Sequence, residues 1–326
     1  MATMPTTPPL ISDTQQKAGI RRRHVLDLDD FRRAEITEIL ETAASMKEVL
    51  GRSIKQVPTL RGKTVVNMFF EESTRTRISF ELAARALSAN VVSMTARGSS
   101  VEKGESLIDT VRTLQALGAD ILVMRHREAG APYLITQHFK GSVINAGDGC
   151  HAHPTQALLD LFTIQEKLGR IEDLKVVIVG DILHSRVARS NIWGLSTMGA
   201  QVTLCAPYTL LGPATFWQAT WPQLTISADL DESIVGADVV MALRLQKERQ
   251  EAGLLPSLRE YSRFFGITAE RVRRAAPHCL VMHPGPMNEG IEIMPDVATS
   301  AQSVIEEQVT NGVAVRMALL YRLAGE

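Results

Sequence analysis

The sequence predicts an α/β protein with two domains, each a parallel sheet flanked by helices. Three observations carry this: short apolar runs without polar alternation, helix-period stretches between them, and a length of 326 residues, enough for two cores. Residues 31–50 come first. Apolar positions at Ile36, Ile39, Leu40, Met46, Val49 and Leu50 give the helical period. Compact runs follow at 64–70, 90–93, 121–124 and 143–145, then a second set at 176–179, 202–205, 239–242 and 280–282. Helical stretches at 78–87, 107–117, 155–168 and 186–198 lie between them, and 303–323 closes the chain with Val304, Ile305, Val309, Val313, Met317 and Leu320 on one side. Runs apolar on both faces suit strands covered by helices on either side, and two such sheets fit the length better than one.

Composition narrows the class. Apolar residues make up 45% and charged residues 22%, with a formal net charge of −1. A general nucleic-acid or membrane binder would show a basic excess, so neither partner is expected. No apolar run reaches the length of a membrane span. Cys150, Cys205 and Cys279 are widely spaced, odd in number and form no CxxC pair, which suggests a reducing, cytoplasmic setting rather than a disulfide or zinc framework. Residues 1–23 are rich in Pro and Thr, poor in acids, and end in Arg21-Arg22-Arg23; they read as a disordered extension, with a short targeting segment as the alternative.

In open α/β sheets ligands bind beyond the C-terminal ends of the strands, and here those exits carry cations. Ser73-Thr74-Arg75-Thr76-Arg77 follows the first run, Arg125-His126 the third, and Arg186, Arg244 and His283-Pro284-Gly285-Pro286 follow runs of the second half. Ser73 is a natural N-cap for a helix expected to bury Ile78, Leu82 and Ala86. Arg75 and Arg77 oppose the macrodipole of that helix, an arrangement that suits a bound phosphate between them, while Ser73, Thr74 and Thr76 add hydroxyls. The bland alternative is a solvated basic cap. His153 stands before Pro154, itself suited to a first helical position, and could serve an oxyanion or simply be a satisfied structural histidine. His151 and His153 lack a third ligand at metal spacing, so no metal is expected. Arg244 and Arg186 together suit a dicarboxylate. Gly180-Asp181 lacks the GxGxxG spacing of a dinucleotide site, and Cys279 reads as a small buried hydrophobe.

With these residues in place, the sequence resembles the aspartate and ornithine carbamoyltransferase family, and its aspartate branch in particular, from about His24 onward. The motifs that carry the resemblance are Ser73-Thr74-Arg75-Thr76-Arg77, Lys103-Gly104-Glu105, Met124-Arg125-His126, His153-Pro154-Thr155-Gln156, Arg244-Leu245-Gln246-Lys247-Glu248-Arg249 and His283-Pro284-Gly285-Pro286. The resemblance implies two doubly wound domains: a carbamoyl-phosphate-binding domain over 24–153, an aspartate-binding domain over 154–302, and a C-terminal helix, 303–323, returning to the first. It implies transfer of the carbamoyl group of carbamoyl phosphate to L-aspartate, an early step of pyrimidine synthesis, with no cofactor. Ser73, Thr74, Arg75 and Thr76 would bind phosphate. Arg125 would bridge phosphate and carbonyl, joined by Thr76 and His153 at the oxyanion. Gln156, Pro284 and Gly285 would hold the carbamoyl NH2, and Arg186, Arg244 and Gln246 the aspartate. Ser99 and Lys103 would enter from the adjacent subunit of a homotrimer, with Lys103 reaching both substrates. A regulatory chain or another pathway enzyme as partner stays open.

The last strand exit favours aspartate, since ornithine enzymes typically carry His-Cys-Leu-Pro where this chain has His283-Pro284-Gly285-Pro286, and ornithine needs acidic groups rather than Arg244. Glu289 stands where relatives often have Arg. The rival readings are another transferase of the family, a nicotinamide-dependent dehydrogenase, and a scaffolding subunit without activity. The missing GxGxxG disfavours the second, and retention of Arg75, Lys103, Arg125 and His153 disfavours the third.

Overall fold

A computed structural model describes residues 22–95, 104–245 and 257–325. Two parallel sheets form its frame. The first contains β1 (Thr64–Phe69), β2 (Asn90–Thr95), β3 (Ile121–His126) and β4 (Ser142–Asp148) in the order β2-β1-β3-β4. The second contains β5 (Lys175–Val179), β6 (Gln201–Cys205), β7 (Thr225–Ser227), β8 (Val239–Ala242) and β9 (Leu280–Met282) in the order β7-β6-β5-β8-β9. Every pairing within these sheets is parallel, as the non-alternating apolar runs predict.

The period of two along a strand sorts side chains between two cores. Val65 and Phe69 of β1 join the large core shared by both halves, whereas Val66 and Met68, with Phe70 beyond the strand, enter a smaller one on the opposite face with Leu122, Met124 and Ile135. Helices α1 (Arg33–Leu50) and α2 (Thr74–Ala86) contribute to the large core, while Val111 of α3 (Leu107–Ala116) and Ile135 of α4 (Ala131–Thr136) enter the smaller one. Helix α5 (Pro154–Leu168) starts on Pro154 and stops at Gly169, a left-handed residue at φ 75° whose N–H bonds back to Gln165. Helix α6 (Arg186–Thr197) is capped by Ser185, whose side chain accepts from the N–H of Ala188. The C-terminal helix (Ile305–Ala324) packs against α1, α2 and α5, so it returns to the first half as expected.

Two expectations need correction, and one strand was not expected. Ile78 and Leu82 of α2 are exposed, at 43% and 52%, and the buried face is Phe80, Ala83, Ala84 and Ala86. The helix has apolar residues on two sides, and the chain covers only the side with Phe80. In the C-terminal helix Val309 is exposed, while Gln308, Asn311 and Arg316 are buried. That helix is enclosed on more than one side, so a single apolar stripe does not describe it. Strand β7 went unpredicted because it lies at the sheet edge without a buried residue and holds a single apolar side chain, Ile226, whereas β9, equally short, is apolar throughout.

Candidate active site

Each sheet reverses its winding at one crevice, between β1 and β3 in the first and between β5 and β8 in the second. Ligands of such sheets bind outside the strand ends at the reversal. The two crevices face one another across a cleft of about 1130 Å3. Its walls carry six arginines, Arg75, Arg125, Arg127, Arg186, Arg244 and Arg316, against two acids, Glu71 and Glu72. That imbalance in a protein of nearly neutral net charge marks a site for anions. A smaller cavity of about 550 Å3 beside α1 has Glu41, Glu48 and Glu166 on its walls against Lys47, the wrong sign for a phosphate.

The exit of β1 supplies the first group. Ser73 is the N-cap of α2 in extended conformation, but its side chain makes no capping bond, and the first turn contains no acid. The N–H groups of that turn therefore have no acceptor from the Ser73 side chain or from an acid of the turn, and the positive end of the dipole faces the cleft where Ser73, Thr74, Arg75 and Thr76 line it. Arg77 does not share this role; its guanidinium pairs with Glu81 at 3.0 Å, so the expected two-arginine clamp reduces to Arg75. Burial, and then the nearby positive charge of Arg244, lower the pKa of Arg75. Two guanidiniums from different halves thus approach closely enough to repel, and an anion between them relieves that repulsion.

Arg125 leaves β3 and Arg186 opens α6, and both meet Glu71. Arg125 Nη2 donates to Glu71 Oε1 at 2.7 Å; Arg186 Nη2 donates to the same oxygen at 2.7 Å and Nη1 to Oε2 at 2.9 Å. Arg186 also donates to the carbonyl of Gly149 at 3.2 Å. Glu71 thereby ties the first half to the second through a bidentate pair. Sequence reasoning missed it. The available signal was two consecutive acids, Glu71-Glu72, directly before the arginine-rich turn.

His153 is the N-cap of α5 and is 4% exposed; its backbone N–H donates to Ser190 Oγ at 2.8 Å. It lines the cleft with Gln156, one turn further on, and with Pro284 and Gly285 beyond β9. His151 lies elsewhere: its Nδ1 meets the fully buried Asp148 at 3.1 Å, and its Nε2 lies 3.7 Å from Asp27. The hydrogen bond to Asp148 raises the pKa of His151. The other ring, His283, is buried against Glu292 at 2.9 Å, and Glu292 also accepts from the N–H groups of Leu245 and Asn288. This carboxylate secures the turn after Arg244 to the loop carrying Pro284 and Gly285. Cys279 is wholly buried, with its thiol pKa pushed up to about 12 by burial, in keeping with its reading as a small hydrophobe.

The structure therefore brings together Ser73, Thr74, Arg75, Thr76, Arg125, His153, Gln156, Arg186, Arg244, Pro284 and Gly285 on one cleft. Ser99, Lys103 and Gln246 lie outside the described residues, as does residues 247–249 of the Arg244 motif. Glu289 is exposed and is absent from the cleft wall. Among the described residues no cluster of metal-ligating side chains is present, and no helix is long and apolar enough to cross a membrane.

Comparison with known proteins agrees with this geometry. Residues 23–166 match the aspartate/ornithine carbamoyltransferase, carbamoyl-P binding domain, and residues 172–323 match the aspartate/ornithine carbamoyltransferase, Asp/Orn binding domain. The chain belongs to the aspartate/ornithine carbamoyltransferase family. An aspartate carbamoyltransferase catalytic subunit from Roseiflexus sp. (strain RS-1) is 84% identical over 306 residues, covering 94% of this chain and 96% of the relative. Aspartate transcarbamoylase from Trypanosoma cruzi, solved in complex with carbamoyl aspartate and phosphate, superposes with a TM-score of 0.85 at 31% identity, over 94% of this chain and 97% of the other. Ornithine carbamoyltransferase from Pyrococcus furiosus reaches a TM-score of 0.83 at 29% identity, over 93% and 97%. The fold is thus common to both branches, and the high sequence identity lies with the aspartate one.

Proposed function

We propose that this chain is the catalytic subunit of an aspartate carbamoyltransferase, and that the cleft between the two sheets is its active site. The amine of L-aspartate attacks the carbonyl carbon of carbamoyl phosphate, a C–N bond forms, the C–O bond to phosphate breaks, and N-carbamoyl-L-aspartate and phosphate leave. The observation that carries the site assignment is the convergence of Arg75, Arg125, Arg186 and Arg244 with the N-terminus of α2 on one cleft.

In this reading Ser73, Thr74, Arg75 and Thr76 hold the phosphate, and Arg125 spans phosphate and carbonyl oxygen. Thr76, Arg125 and His153 stabilise the oxyanion that forms on attack. Gln156 and the carbonyls of Pro284 and Gly285 accept from the carbamoyl NH2. Arg186, Arg244 and Gln246 hold the two carboxylates of aspartate. Carbamoyl phosphate is already activated, so positioning and charge stabilisation supply the catalysis, and the departing phosphate takes the proton of the attacking amine. In the same reading 24–153, with the C-terminal helix 303–323, form the carbamoyl-phosphate domain and 154–302 the aspartate domain.

We further propose a homotrimer in which Ser99 and Lys103 of one subunit complete the site of the next. Strand β2 lies at the edge of its sheet with only two of six residues partly buried, and Val92, Ile78 and Leu82 leave apolar surface exposed. Three free thiols, Cys150, Cys205 and Cys279, suit a cytoplasmic setting. The product places the enzyme early in pyrimidine synthesis. Mixing Arg75→Ala with Lys103→Ala subunits, each inactive alone, tests the shared site: dissociation and reassociation should restore part of the activity. No recovery would mean that each site is built from one chain.

A further inference from the structure

Below the cleft floor, Asp160 of α5 is fully buried among amides. Its Oδ1 accepts from Gln156 Nε2 at 3.0 Å and from Gln308 Nε2 at 2.8 Å, and its Oδ2 accepts from Asn191 Nδ2 at 2.8 Å. Each of these partners is an amide NH2, so the carboxylate is an acceptor at every one of them, while burial pushes its pKa up to about 6 against the lowering effect of these donors and of Arg316. An acceptor-only centre dictates how each amide turns. Gln156, one helical turn before Asp160, must point its NH2 inward, which leaves its oxygen for the cleft. Gln308, from the C-terminal helix, does the same, and its oxygen accepts the N–H of His283 at 3.0 Å. His283 directly precedes Pro284 and Gly285.

We infer that Asp160 is a positioning residue that turns the acceptors of the cleft toward the carbamoyl NH2 and so makes the site select an amide over a methyl group of similar size. This rests on the assignment of Gln156, Pro284 and Gly285 proposed above. One buried carboxylate reaches both sets of acceptors, Gln156 directly and the Pro284-Gly285 turn through Gln308. A tie between three helices needs no such group, since apolar packing joins helices without the desolvation cost of a buried charge. Selection follows from polarity. A reversed Gln156 would present NH2 to the NH2 of the substrate, donor against donor, whereas a methyl group in that place leaves the oxygen of Gln156 unpaired.

The test compares dissociation constants for carbamoyl phosphate and acetyl phosphate, which differ by NH2 against CH3, in wild type, Asp160→Leu and Asp160→Asn. Inorganic phosphate serves as the control for the phosphate subsite. The preference for carbamoyl phosphate is expected to fall about tenfold in Asp160→Leu, one hydrogen bond's worth, with phosphate affinity unchanged. Asp160→Asn keeps an oxygen available to Gln156 and Gln308 and should retain most of the preference. Should Asp160→Leu not fold, Gln308→Met reads the second arm alone, with an expected loss of about threefold. A folded Asp160→Leu that binds phosphate and keeps the wild-type preference, or loses affinity equally for both acyl phosphates, overturns the inference. An unchanged preference in Gln308→Met also overturns it. Absence of any preference in the wild type would instead sink the assignment of Gln156, Pro284 and Gly285 on which it rests.

Discussion

Replacing Glu71 with alanine removes a carboxylate shared by Arg125 and Arg186. The side chains involved are 17%, 12% and 4% exposed, so the charges left behind are poorly hydrated. Truncating one partner of a buried pair typically costs about 3–5 kcal/mol. Arg186 keeps the carbonyl of Gly149 at 3.2 Å and Arg125 that of Ala146 at 3.4 Å, which places the expected loss near the lower end, about 3 kcal/mol. Glu71→Gln, which keeps an acceptor but no charge, should lose about half as much. Urea unfolding measures both. Phosphate supplies a second signature, because in the wild type it competes with Glu71 for Arg125, whereas in the alanine variant that competition is gone. Saturating phosphate, which adds about 2.7 kcal/mol at a hundredfold excess over Kd, should therefore stabilise Glu71→Ala at lower concentration than it does the wild type. An alanine variant within 1 kcal/mol of wild type, as judged from the usual ~0.5 kcal/mol scatter of surface changes, or one responding to phosphate identically, would refute this account of Glu71.

Other variants probe the remaining parts of the cleft. Arg75→Ala and Arg125→Ala should each lower kcat by about 10²–10³, the scale for loss of a group that stabilises transition-state charge, with circular dichroism unchanged. Arg244→Ala should raise the apparent KM for aspartate about 10–100-fold, as expected from a charged hydrogen bond of about 1.5–3 kcal/mol; unaltered aspartate saturation would remove Arg244 from the carboxylate site. His151 gives a pH signature. Its folded pKa is raised above the ordinary 6.5 chiefly by the hydrogen bond to Asp148, so the protonated form binds better in the folded state. The stability that it contributes is complete below pH 6.5 and is lost as pH rises through the folded value. Melting of wild type and His151→Gln should differ most below pH 6.5 and converge as pH rises through the folded value.

Eight of the nine described strands are legible in the sequence, most of them because parallel strands covered on both faces leave uninterrupted apolar runs, and their exits mark the cleft. Arg75, Arg125, His153, Arg186 and Arg244 all stand on its wall. What the sequence hid were relations between distant segments. Glu71 reads as an ordinary acid until Arg186 of the other half is seen against it. Arg77 looked like a partner of Arg75, but Glu81 one turn later neutralises it. Ile78 and Leu82 show the limit of helical periodicity, which reports that a face is apolar without saying what covers it. Gln308, Asn311 and Arg316 interrupt the apolar pattern of the last helix because they meet polar groups of other helices: Asp160 and Thr163 on α5 and Ser79 on α2.

The most direct measurement is product formation by purified protein supplied with carbamoyl phosphate and either L-aspartate or L-ornithine, without added metal. The account predicts carbamoyl aspartate and phosphate in equal amounts from aspartate, and no carbamoyl ornithine. Ornithine turnover without aspartate turnover would leave the phosphate half of the cleft standing and contradict the assignment of Arg186 and Arg244.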